Sequence, residues 1–219
     1  AFVHYQLANA YLAAGDAEQA VKTVQQALQI APSNLDAKAI MALALIQRKN
    51  YLGAIPLLKE CVVRNPKDLS LRLALARAQV SAGDFESAGD SFEKIHRLFP
   101  SDVESLIALA QISLQKRQLG QSTQLLEEAL TIEPLNASAH LLQARSMFAD
   151  GKIANCLDAL SFFETVKTAR MNSGQLKPVI KDAFLLRARC QFILSQHNDA
   201  ADTFGLLLDR GESLSVQDC

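Results

Sequence analysis

Proline recurs in this chain at a fixed pitch: Pro32, Pro66, Pro100 and Pro134 are separated by 34, 34 and 34 residues. With proline at about 5% of residues, three further hits at one pitch have odds of about one in ten thousand. The flanks agree, since Ile30-Ala31-Pro32, Arg64-Asn65-Pro66, Leu98-Phe99-Pro100 and Ile132-Glu133-Pro134 each close an amphipathic run. Proline lacks the backbone N–H and its ring collides with the preceding helical turn. Each one therefore ends a helix and forces a turn before the next. A chain punctuated in this way reads as an array of equal helical units.

Placing the prolines at position thirty-two makes Ala1 the first position of the first unit. The units are then 1–34, 35–68, 69–102, 103–136 and 137–170. Position eight is Ala8, Ala42, Ala76, Ala110 and Ala144, and position twenty is Ala20, Ala54, Ala88, Ser122 and Cys156. Small residues at both places let two antiparallel helices cross with their backbones close together. Position seven (Leu7, Met41, Leu75, Leu109, Gln143) and position twenty-four (Val24, Leu58, Phe92, Leu126, Leu160) are read as filling the space between hairpins. Position fifteen is the interhelical turn, where Gly15, Gly83 and Gly151 supply left-handed geometry and Lys49 and Arg117 stand in the other units. Asp16, Asn50 and Asp84 follow, placed to N-cap the second helix. Ala188, Ala200 and Phe204 are spaced as Ala76, Ala88 and Phe92 are, which sets a sixth unit at 181–214. The segment 171–180, with the turn formers Asn172-Ser173-Gly174 and Lys177-Pro178, is then an insert, and 215–219 begins a further element. No polar capping helix is visible, so the array is expected to continue beyond this sequence. Without a proline at position thirty-two, the second helix of the fifth unit is expected to run past Arg170. Pro56, inside the second helix of the second unit, is expected to bend that helix or delay its start.

These residues resemble the tetratricopeptide repeat family. The small residues at eight and twenty, the large one at twenty-four, proline at thirty-two and the aromatic Tyr11 at position eleven carry the resemblance. The family's tryptophan at position four is replaced by His4, Lys38, Arg72, Leu106 and His140. The resemblance implies an all-α, right-handed superhelical solenoid of antiparallel helix pairs. It further implies that the first helix of each pair lines a concave groove. Carried onto this sequence, the partner-binding residues are Tyr5, Asn9, Ile40, Leu43, Leu73, Arg77, Ile107, Gln111, Leu142, Arg145, Leu185 and Arg189. Position twelve adds Phe148 and Phe192 among its apolar residues. A groove of this kind suits an acidic amphipathic helix or extended segment, because guanidinium groups bind carboxylates in a bidentate manner. The alternative is that the arginines pair with neighbours such as Glu104 and Asp182 and solvate the groove. Two specialised branches of the family fit poorly. Of the places matching the chaperone-tail carboxylate clamp (Tyr5, Asn9, Ile40, Ser70, Ala74) only Asn9 suits it, and position six carries no asparagine ladder of the O-linked sugar transferase kind.

Composition narrows function. The chain has 22 basic and 23 acidic residues and a net charge of −1, without the basic excess of a nucleic-acid binder. No apolar run reaches the roughly 18 residues that span a bilayer, so membrane insertion is not expected. Cys61, Cys156, Cys190 and Cys219 form no C-x-x-C pair, which argues against a zinc site. No hydrolase, metalloprotease, Walker or dinucleotide motif is present. No catalytic residue, cofactor or metal site is therefore assigned. His4 and His140 share the packing position four. The expectation is a non-catalytic protein-interaction scaffold within a larger assembly, set in a bacterial envelope, polysaccharide-export or secretion system, or among cytosolic assembly factors. The alternative is a docking or regulatory region of an enzyme whose catalytic domain lies elsewhere. A second copy of the chain in the groove, giving a homo-oligomer, is a third reading. Localisation is left open between cytoplasm and bacterial periplasm.

Overall fold

A computed structural model describes residues 2–163 and 177–208. Among these residues the chain is all helical. The elements are α1 (Phe2–Ala13), α2 (Ala17–Ile30), α3 (Leu35–Gln47), α4 (Tyr51–Arg64), α5 (Leu69–Ser81), α6 (Phe85–Leu98), α7 (Val103–Gln115), α8 (Leu119–Ile132), α9 (Ala137–Ala149), α10 (Ile153–Leu160), α11 (Lys177–Ile193) and α12 (His197–Leu208). None of the described helices is long and apolar enough to cross a membrane. The helices fall into two compact units, residues 1–105 and 106–219, divided within α7.

Local chemistry explains the helix ends. Asn34, Asp68, Asp102 and Asn136 each stand two residues after a repeat proline. Their side chains accept from the N–H of Ala37, Leu71, Ser105 and Ala139 at 3.0, 3.1, 2.9 and 3.1 Å. Proline thus ends one helix and an Asn or Asp starts the next, satisfying a donor that the first turn would leave unpaired. The second helices of the first three pairs are capped in the same way. Asp16, Asn50 and Asp84 accept from Gln19, Gly53 and Ser87 at 3.0, 3.1 and 3.1 Å. The bonds from Ser87 hold the Asp84 carboxyl below the usual carboxylate range.

Position fifteen is left-handed in every pair. Gly15, Gly83 and Gly151 have φ of 81°, 80° and 75°, and Lys49, Arg117 and Ser195 have 59°, 58° and 61°. The turn is closed by the residue after it. Asp16 N–H donates to Tyr11 O at 2.9 Å, and Gln118 N–H to Ser113 O at 2.8 Å. A side chain in this conformation costs about 1–2 kcal/mol, against about 0.5–1 kcal/mol of extra chain entropy that glycine loses on folding. Arg117→Gly is therefore expected to stabilise the second unit by about 0.5–1 kcal/mol. A urea melt in which the midpoint stays still or falls would contradict this. Arg117 is exposed, so little else is lost with it.

Packing follows the small-residue rows. Ala8, Ala42, Ala76, Ala110, Ala144 and Ala188 are all fully buried, as are Ala20, Ala54, Ala88, Ser122 and Cys156. Where serine replaces alanine, its hydroxyl is satisfied, since Ser122 Oγ donates to Ala110 O at 2.9 Å across the pair. Val24, Leu58, Phe92, Leu126 and Leu160 fill the core at position twenty-four. Position seven departs from the expected filling role at the start of the chain. Leu75 and Leu109 are buried, but Leu7 is 46% exposed.

Three local expectations meet the structure differently. α4 begins at Tyr51 and runs through Pro56, so its start is not delayed. The proline leaves the Leu52 carbonyl without its N–H donor on an exposed side of the helix, where water reaches it. α10 closes at Leu160 with a turn at Ser161, so it does not run unbroken past Arg170 as expected; residues 164–176 lie outside the described residues. Of the segment 171–180, residues 171–176 lie outside the described residues and 177–180 form the first turn of α11. Pro178 is tolerated there because first-turn N–H groups have no partner within the helix.

Candidate functional site

With position eight buried on every first helix, the next residue is turned about 100° toward the rim of the hairpin. Position nine is accordingly exposed throughout, as Asn9, Leu43, Arg77, Gln111, Arg145 and Arg189. Positions five and six flank that row and divide between surface and core. Tyr5, Leu73 and Ile107 are half-buried. Ile40, Leu142 and Leu185 are only 7%, 7% and 8% exposed and belong to the cores of their units. Ile40 sinks because its neighbours Ala8, Ala27 and Ala37 are small.

Two arginines of the row, Arg77 and Arg145, are bound to acids within the chain. Arg77 on α5 donates through Nε and Nη2 to both carboxylate oxygens of Glu104 at the start of α7. This bonding to Glu104 raises the Arg77 guanidinium pKa further still. Arg145 Nη2 on α9 donates to Asp182 Oδ2 on α11 at 2.6 Å. In both pairs the acid stands at position two of the unit that follows. The sequence separations are 27 and 37 residues, so the second pair spans ten more residues than the first. These side chains are well exposed, with Arg77 at 61% and Glu104 at 38%, and screening limits such a bond to about 0.2–1 kcal/mol. A double-mutant cycle on Arg77→Ala and Glu104→Ala is expected to return a coupling in that range that shrinks in 1 M salt. A coupling above 2 kcal/mol would mean that the pair is shielded from water.

The second unit holds a cavity of ≈ 510 Å³ among α9, α11 and α12. Phe148, Phe192, Ile193 and Phe204 supply its apolar walls, and Arg189 and His197 its polar lining. The His197 ring meets Phe192 edge-on at 5.1 Å. Phe192 is 64% exposed and Ile193 53%, an apolar surface open to solvent. The position-nine and position-twelve rows pointed to Arg189, Phe148 and Phe192. Phe204 and His197 were missed because they lie on a second helix, which the groove assignment leaves out. His140 has a packing role, its ring stacking on Phe162 at 3.8 Å and its Nε2 lying 2.9 Å from Pro134 O. Among the described residues no group of three His, Cys, Asp or Glu side chains is placed to hold a metal ion.

Comparison with known proteins gives the same architecture. One sequence model of the tetratricopeptide repeat matches residues 45–90 and 80–146, and a second matches 1–34. The chain is 26% identical over 145 residues to Protein CTR9 homolog of Arabidopsis thaliana, an alignment over 64% of this chain and 13% of that protein. It thus spans about an eighth of the length of this curated relative. A tetratricopeptide repeat protein from Parabacteroides merdae superposes with a TM-score of 0.81 at 13% identity, covering 98% of this chain and 80% of the other. PilW, a widely conserved type IV pilus biogenesis factor, gives a TM-score of 0.75 at 17% identity over 98% of this chain and 96% of the other.

Proposed function

We propose, from the premise that the chain belongs to the tetratricopeptide repeat family, that it is a scaffold which docks an amphipathic partner segment against the first helices of its hairpins. Repeats of this family are protein-interaction modules, generally without catalytic activity of their own. The observation that carries the finer reading is the cavity walled by Phe148, Phe192 and Phe204. Its volume suits a large apolar side chain of a partner, and aromatic anchors in such pockets dominate binding energy. The polar lining from Arg189 and His197 suits a segment with a polar group beside its apolar anchor. In the first unit, Asn9 and Leu43 offer a polar contact and an apolar one on the same row. An acidic ligand at Arg77 or Arg145 has to compete with Glu104 or Asp182, so acidic contacts there contribute less. The frame for this reading keeps six repeats, with an insert at 171–180. The ten extra residues between Arg145 and Asp182 support that insert.

Two settings are retained. The likeness to a pilus biogenesis factor favours assembly of a bacterial envelope or secretion system. The small share of the curated relative that the chain spans favours a docking region within a longer protein. The test is affinity capture from the source organism's lysate with the parent chain, Phe192→Ala and Leu52→Ala. Leu52 lies on α4 and is 76% exposed, so it controls for loss of any surface leucine. A partner held by the parent and by Leu52→Ala but lost at least tenfold by a helical Phe192→Ala supports docking at the cavity. Equal capture by all three overturns it.

A further inference from the structure

Cys156 on α10 and Cys190 on α11 bring their sulfurs within 3.3 Å of each other inside the second unit. Both side chains are completely buried. Packing accounts for one of them. Cys156 holds the crossing position at which Ala20, Ala54 and Ala88 stand in the first three pairs, so a small residue is required there. Alanine would meet that need, and nothing in the packing calls for two thiols in contact. The surroundings are apolar, with Leu160, Phe163, Ala183 and Phe184 in the same cluster. Among the described residues no third ligand joins the sulfurs to form a metal site. A disulfide bond is about 2.05 Å long, so closure needs an approach of about 1.2 Å.

We propose that Cys156 and Cys190 are a covalent modification site, an oxidisable pair at which a peroxide closes a disulfide between α10 and α11. The hydrogen bond between the sulfurs holds the Cys190 thiol below its ordinary range and the Cys156 thiol above. With the sulfurs in contact either thiol can react first, and the chemistry is the same with Cys190 leading. The Cys190 thiolate attacks one oxygen of hydrogen peroxide, the O–O bond breaks, and the departing hydroxide leaves as water with the proton that Cys190 released. The Cys156 sulfur then attacks the Cys190 sulfenic acid. The S–O bond breaks, the S–S bond forms, and the oxygen departs as a second water with the Cys156 proton. Two thiols lose two electrons and two protons, and one peroxide becomes two waters. The oxidant reaches the buried pair when α10, only 8 residues long, opens locally. The bond would fix the second helix of one hairpin to the first helix of the next.

The experiment uses the full chain, treated with hydrogen peroxide, quenched, denatured and alkylated. Of the four cysteines in the sequence, two are expected to escape alkylation, with a mass loss of about 2 Da, a linked 156–190 peptide and full reversal by reductant. Cys61, buried without a second thiol, provides the baseline and is expected to stay alkylatable over the same time. Cys156→Ala introduces the residue that four other pairs carry, and it should fold and lose the link. The proposal is overturned if both thiols remain free once Cys61 has been consumed. It is also overturned if the link appears only in denatured protein.

Discussion

Leu58→Ala is expected to lower the stability of the first unit by about 2–5 kcal/mol. Leu58 is fully buried on α4 and packs with Ala42, Ala54, Leu75 and Ala78. Three of these neighbours are alanines, which have no side-chain length with which to reach into the space left behind. Whatever volume the surrounding Leu45, Ile46, Ile55 and Leu71 do not fill adds the cost of its lost contacts to the lost transfer energy of the leucine. A urea melt followed by far-UV circular dichroism reads the effect. Leu52→Ala on the same helix, at a 76% exposed position, should change stability by less than about 0.5 kcal/mol. If the two variants melt alike, Leu58 is not the packing residue that its burial indicates.

Ala42→Leu is expected to cost about 1–3 kcal/mol by the opposite mechanism. Ala42 is fully buried on α3 in the same cluster as Leu58. Close approach of the paired helices at this position leaves no room for three more heavy atoms, so α3 and α4 must separate or adopt strained rotamers. Because both residues draw on one volume, the double variant should recover part of the loss. Its deficit should fall at least about 0.5 kcal/mol short of the sum of the single deficits. Strict additivity would show that the two side chains do not share space.

Much of the fold was legible because repetition averages out local ambiguity. The prolines marked helix ends, and the alanine rows marked crossings that are fully buried in the structure. A further signal lay in the sequence unread: Asn34, Asp68, Asp102 and Asn136 keep the prolines' pitch and cap the helices that follow. Position fifteen was legible where glycine occupied it. Lys49, Arg117 and Ser195 adopt the same left-handed geometry without a residue type that announces it. The register of the repeat imposes that conformation on them.

The candidate site was less legible. Position nine could be placed on the surface from periodicity, because it adjoins a buried alanine at a fixed angle. The engagement of Arg77 with Glu104 and of Arg145 with Asp182 was one of two open alternatives, since a one-dimensional pattern does not say which side chains meet across neighbouring pairs. Ile40, Leu142 and Leu185 sit where neighbouring side-chain volumes decide between core and surface. The cavity depends on Phe148, Phe192 and Phe204, contributed by three helices. By itself, the sequence determined the helices, their ends, their pairing and the rows that must be small, because those follow from local backbone chemistry repeated at one pitch. Only the tertiary structure decided which charges are already neutralised, which apolar residues remain open and which two thiols touch, because these depend on side chains far apart in sequence meeting in space.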